Sequence, residues 1–170
     1  SVFDSVDYGG SVGDNGHMAR MRSGKDITIE GIGEDAVIDG WGFHFIASTT
    51  DRNTGRGTSF EVRNLTFINT PEDAVGMEGT QGTLKADGTV ENASSATADI
   101  LGSVEHCWVH NNEFYCPNIS GPAESDKAQG DGSCDFKRGQ YFTCSYNYFE
   151  GCHKTNLVGS SDSSLQYNLT

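Results

Sequence analysis

Asp131 and Asp135 stand four residues apart in the segment DGSCDFKRG, and Lys154 follows the aromatic run YFTCSYNYFEG that comes next. Carboxylates are the hard oxygen donors that calcium prefers, and a site with few of them leaves coordination positions open for water and an anionic ligand. A nearby lysine adds a positive point charge. Together these are the parts needed to hold a calcium ion against an acidic sugar polymer. In an ideal strand, residues four apart face the same way but sit about 13 Å from each other. One ion could not reach both aspartates unless the chain bends, and Gly132 is where a bend is predicted. Asp beside Gly is also a common turn signal, so Asp131 alone reads equally as turn chemistry. Asp135 lies inside the strand-like run SCDFK, where Asp is disfavoured, and asks for a stronger reason. Lys137 alternates onto the face of Asp135 and could be its ion-pair partner. Arg138 reads as a strand-end surface charge, and Lys154 taken alone reads as a solvated lysine.

The elements that must position these residues are short. Runs rich in β-branched and aromatic residues recur at ITIEGIG, FEVRNLTFIN, VEHCWVHNNEF, YFTCSYNYFEG and LQYNLT, each closed by Gly, Asn or Asp. Second runs lie between them, among them AVIDGWGFHFI, AVGMEG and TNLVGSSD. The 170 residues suit one domain, 1–170, and 22 glycines with 3 prolines favour a turn-rich β protein over a helix bundle. No apolar run approaches a membrane span, so no membrane partner is expected. The absence of an initiating Met and of a basic-then-apolar leader points to a mature form or a fragment. The net charge of −13 argues against nucleic acid, whose affinity comes largely from Lys and Arg. It does not exclude an acidic polysaccharide, because solvent ions screen repulsion beyond about 10 Å and a bound cation reverses the local sign.

Five cysteines, none in a C-x-x-C pair, make zinc improbable and leave at least one free thiol. They read as small buried hydrophobes, with room for one disulfide. The histidines show no metal pattern, and His106 reads as a buried, hydrogen-bonded structural residue.

Two strand-like runs per loosely repeated unit predict a coiled stack of strands rather than a sandwich, whose strands would be more evenly spaced. Asn112-x-Phe114 and Asn147-x-Phe149 recur at matching points, as stacked coils demand. An inward Asn can bond the next coil while the aromatic ring fills the interior. Polar segments near 48–58, 80–99 and 117–130 are expected as loops projecting from the stack.

On these residues the chain resembles the pectate lyase family of right-handed parallel β-helices, which includes plant pollen allergens. KDITIEGIGEDAVIDGWGFHFI resembles an early coil of the family, and FEVRNLTFINTPEDAV the coil that ends in its first calcium aspartate. VEHCWVHNNEF resembles the family's W-[IV]-D-H strand. DGSCDFKRGQYFTCSYNYFEGCHKTNLVGSSD resembles the run that carries the remaining calcium carboxylates and a substrate lysine. The matching stretches cover most of 25–170 apart from the loops. The resemblance implies an all-β, right-handed parallel β-helix (solenoid), here incomplete. It implies a calcium site of Asp73, Asp131 and Asp135, with Lys154 binding a uronate carboxylate. It further implies a secreted, monomeric protein whose partners are polygalacturonate or pectin oligosaccharides.

The implied reaction is β-elimination: the uronate carboxylate is neutralised, the C5 proton is removed and the glycosidic bond breaks. The base in the family is an arginine in a later coil, expected beyond Thr170, so no catalytic residue is assigned within this chain. Three other readings stand beside this one. One is a non-catalytic, calcium-dependent pectin-binding β-helix. Another is a polygalacturonase-type hydrolase, which would need paired acid and base carboxylates and whose adjacent Asp-Asp and Gly-His-Gly features are absent. The third is a purely structural adhesin or allergen-like β-helix, which predicts no calcium dependence.

Overall fold

The fold is built by repetition of a three-strand coil. The computed structural model describes residues 18–22, 24–47, 58–70, 73–87, 90–91, 99–102, 104–115, 132–137, 139–152 and 154–158. After β1 (Met18–Arg22), coil 1 comprises β2 (Ile27–Glu30), β3 (Val37–Asp39) and β4 (Gly42–Ile46). Coil 2 comprises β5 (Phe60–Arg63), β6 (Thr66–Ile68) and β7 (Val75–Glu78). An excursion of β8 (Thr80–Leu84), β9 (Val90–Glu91) and β10 (Asp99–Gly102) follows. Coil 3 is β11 (Val104–His110), β12 (Glu113–Tyr115) and β13 (Gly132–Lys137); coil 4 is β14 (Gly139–Ser145), β15 (Tyr148–Glu150) and β16 (Lys154–Val158).

Equivalent strands of successive coils pair in parallel, giving three sheets. Sheet A runs β1-β4-β7-β13-β16, sheet B β2-β5-β11-β14 and sheet C β3-β6-β12-β15. This is a parallel β-helix, and the described residues contain no helix. One expectation is corrected: the segment near 80–99 is not plain loop. The strands β8, β9 and β10 form a three-stranded antiparallel sheet, in the order β10-β8-β9.

The interior explains why the coils keep register. Phe67, Phe114 and Phe149 stack along sheet C, with ring centroids 5.1 and 4.8 Å apart and planes within 7°. Each buried phenylalanine removes enough apolar surface to contribute about 2–3 kcal/mol. Asn112, 1 % exposed, bonds up and down the stack. Its Nδ2 donates to Val62 O at 3.0 Å and to Asn147 Oδ1 at 3.2 Å, while its Oδ1 accepts from Leu65 N at 3.1 Å. Asn147 repeats the bond one coil on, donating to Val109 O at 2.8 Å. The two Asn-x-Phe motifs are therefore the rungs that the sequence announced.

The turn from sheet B to sheet C is left-handed in three successive coils, at Asn64 (φ 55°), Asn111 (φ 54°) and Tyr146 (φ 55°). Asn64 N donates to Asn111 O at 3.1 Å, so these turns stack like the strands. Asn tolerates this conformation; a bulky side chain does so poorly.

Among the described residues Cys152 is in a disulfide, while Cys107, Cys134 and Cys144 are free. Cys107 and Cys134 are buried small hydrophobes, and burial pushes the Cys107 thiol up to about 12. His106 departs from expectation. It is exposed, at φ 56°, and stacks on Tyr141 at 4.8 Å. The left-handed residue interrupts the alternation of β11, so Cys107 rather than His106 turns inward.

Candidate functional site

Sheet A presents an outward row formed by Arg20 on β1, His44 on β4, Gly76 on β7, Asp135 on β13 and Leu157 on β16, all in mutual register. Gly76 leaves a gap in the middle of that row. Asp73, in the connection before β7, fills it: its Oδ2 lies 3.1 Å from where a Gly76 Cβ would stand. Two carboxylates thus meet on the outside of sheet A although they come from different coils. Asp73 is 5 % exposed and Asp135 3 % exposed.

Backbone N–H groups hold both side chains. Asp73 Oδ1 accepts from Gly132 N at 3.0 Å, and Ala74 N donates to Gly132 O at 3.1 Å. Asp135 Oδ1 accepts from Leu157 N at 3.0 Å. Gly132 is where the two carboxylates crowd together. A Cβ there would stand 2.6 Å from Asp73 Oδ1 and would also overlap Asp135 Oδ1 and Cγ. The absent side chain at Gly132 therefore makes room for the carboxylate pair. That role is invisible to a reading of glycine as a turn former, and close approach of backbone to a polar group is the signal that finds it.

Burial and then the charge of Asp73 push the Asp135 carboxyl up to about 7, against the pull of the Leu157 N–H and of Lys137. Two buried carboxylates this close disfavour joint ionisation unless a cation lies between them. The donor set fits calcium: hard oxygens, incompletely used by backbone donors, at the outer surface of a sheet. Among the described residues no group of three or more His, Cys, Asp or Glu converges. Asp131, the third expected ligand, lies outside the described residues, as does any bend between it and Gly132. Of the expected ligand set, then, Asp73 and Asp135 are brought together.

Lys154 is the first residue of β16 and pairs in register with Gly132, one strand away from the carboxylates at about 4.8 Å spacing. Its side chain is exposed. Lys137 pairs with Glu78 one step further along the same face. His44 carries no local pattern that singles it out. It flanks Gly76 on the side opposite Asp135, with Nε2 3.5 Å from Glu78 Oε2. Its Nδ1 is buried without a hydrogen-bond partner among the described residues.

A parallel β-helix that carries a buried pair of aspartates and an exposed lysine on one outer sheet belongs to the class of parallel β-solenoids. Within that class the family is defined by sequence. A family model described as pectate lyase matches residues 27–168, and the chain belongs to that family. No curated protein and no solved structure matches it.

Proposed function

We propose that this protein is a calcium-dependent pectate lyase that cleaves polygalacturonate by β-elimination. The observation that carries the reading is the convergence of Asp73 and Asp135 on Gly132, with Lys154 in register beside them. Asp73 and Asp135, with Asp131, would hold the ion. When bound, calcium neutralises the uronate carboxylate and so acidifies the neighbouring C5 proton.

The chain's own residues contribute binding and orientation. The Gly132 N–H fixes the Asp73 carboxylate, and the Leu157 N–H fixes Asp135, so neither side chain must reorganise on loading. Lys154 receives the uronate carboxylate and keeps the sugar acid over the carboxylate pair. No residue of this chain is assigned the role of base. The disulfide at Cys152 supports a secreted protein, since such bonds persist in oxidising compartments.

The test is incubation of the full-length protein with polygalacturonate, with and without calcium. Calcium-dependent growth of the ultraviolet absorbance of an unsaturated product supports elimination. New reducing ends without that absorbance would replace the reading with hydrolysis. Calcium-dependent binding with no cleavage would reduce the protein to a pectin-binding module.

A further inference from the structure

On coils 3 and 4 the outer surface of sheets B and C is aromatic and exposed. Tyr141 and Trp108 rise from sheet B, Tyr115 and Tyr148 from sheet C, and Tyr146 stands at the turn between the sheets. Trp108 lies on the ring of His110 at 3.7 Å with its Nε1 donating to Ser145 Oγ at 2.9 Å. Tyr115 and Tyr148 sit one above the other, ring centroids 5.8 Å apart. Their hydroxyls donate to Glu113 and Glu150, two residues away on their own strands, at 3.0 and 2.7 Å. Coils 1 and 2 show nothing comparable: Asn64 takes the place of Tyr146, and Thr66 and Ile68 take those of Tyr148 and Glu150.

Tyr146 is the residue that stability does not explain. It occupies the left-handed turn position that Asn64 and Asn111 fill in the two preceding coils, a conformation costly for a ring-bearing side chain. It is 82 % exposed, so no burial offsets that cost. Tyr141 shares the feature, with φ 60° and 55 % exposure. Unfavourable backbone geometry that recurs on exposed aromatics in one patch points to a ligand that uses the rings.

We infer that this surface binds a neutral, hydroxyl-rich polysaccharide with flat pyranose faces, such as a β-1,4-glucan. Ring faces stack against the apolar C–H faces of such sugars, combining contact area with a polar edge. The strands β11, β12, β14 and β15 carry no Lys or Arg, while Glu113 and Glu150 border the tyrosines. Carboxylates accept hydrogen bonds and donate none, which suits sugar hydroxyls and repels a polyuronate. The patch would hold the protein on a neutral wall polymer while sheet A addresses the acidic one. It is built from other sheets than the calcium site, so either assignment can fail without the other.

The test is titration of the protein with cellohexaose, followed by tryptophan fluorescence and calorimetry, with hexagalacturonate as the control ligand. Saturable binding of cellohexaose is expected. Tyr146→Asn should weaken it about fivefold to tenfold, as expected for one lost aromatic contact. The same substitution should raise the melting temperature by about 2–4 °C, because Asn suits the turn. Tyr148→Ala should weaken binding to a similar degree. Absence of cellohexaose binding, or unchanged affinity in both variants, overturns the proposal. Self-association that Tyr148→Ala abolishes, in a protein that ignores cellohexaose, would overturn it in favour of a second copy of the chain.

Discussion

Asn112 and Asp135 are both polar, both buried and both part of coil 3, yet they meet burial in opposite ways. Asn112 uses both amide protons and its carbonyl within the stack, so its desolvation is fully compensated. Asp135 receives a backbone N–H, but it also faces a second carboxylate that raises the cost of its charge. One is a satisfied group whose role ends with the fold. The other is left in deficit, and that deficit is what a cation can fill. Within one parallel β-helix, two buried polar residues thus differ in whether their hydrogen bonding and charge are closed by the protein itself, and the proposed metal site rests on the one that is not.

The largest effect expected from this contrast is at the satisfied site. Asn112→Leu strands the Leu65 N–H and takes the side-chain donor from the Val62 carbonyl, while Asn147 Oδ1 keeps the backbone N–H of residue 112. The substitution should cost about 3 kcal/mol. For a chain of this size that is a fall of about 6–12 °C in melting temperature, read by circular dichroism. A loss within error of zero would mean the asparagine ladder is decorative.

Next comes the pH dependence of the calcium-free protein. The folded-state pKa of Asp135 is raised to about 7, above the ordinary carboxylate value. Its contribution to stability is therefore complete below about pH 4 and is lost as pH rises through about 7. Between pH 5 and pH 8 the loss should be on the order of 2 kcal/mol. Denaturant melts at pH 5 and pH 8 would measure it, and equal stability at the two values would contradict a like-charge pair.

A substitution at the unsatisfied site should act with the opposite sign to Asn112→Leu. Asp135→Asn keeps an oxygen for the Leu157 N–H and removes the repulsion with Asp73. The calcium-free variant should be more stable than the parent at pH 8 by about 1 kcal/mol, and its pH dependence should flatten. Destabilisation instead would place Asp135 with Asn112 among the structural groups. The smallest effect on the fold is expected for Gly132→Ala. Its methyl group must push the two carboxylates apart, which should lower calcium affinity about tenfold, or about 1.4 kcal/mol, while leaving the melting temperature of the calcium-free protein nearly unchanged. Calorimetry on that variant separates an effect on the site from an effect on the stack.

Much of the fold could be read from the sequence because a solenoid writes its interior twice. Asn112-x-Phe114 and Asn147-x-Phe149 are equivalent positions of adjacent coils, and in-register parallel stacking forces like residues to meet. Asp135 could be singled out because an aspartate inside a strand contradicts local propensity and so needs an external reason. Other features left no local mark. The antiparallel strands β8 to β10 come from a polar segment rich in Thr and Ala with no clear alternation, which reads as loop. His106 was expected inside, because a left-handed residue within a strand cannot be seen by counting alternate positions. The purpose of Gly132 depends on two side chains from different coils, and no local pattern encodes that meeting. His44 is silent for the same reason, since only the register of β4 against β7 brings it beside Gly76.

The most direct test of the central claim is a calorimetric calcium titration of the protein and of Asp135→Asn at pH 8. The account predicts saturable binding to one site, weakened on the order of hundredfold by the substitution. Equal calcium affinity in the two proteins would contradict it and remove the Asp73–Asp135 pair from the metal site.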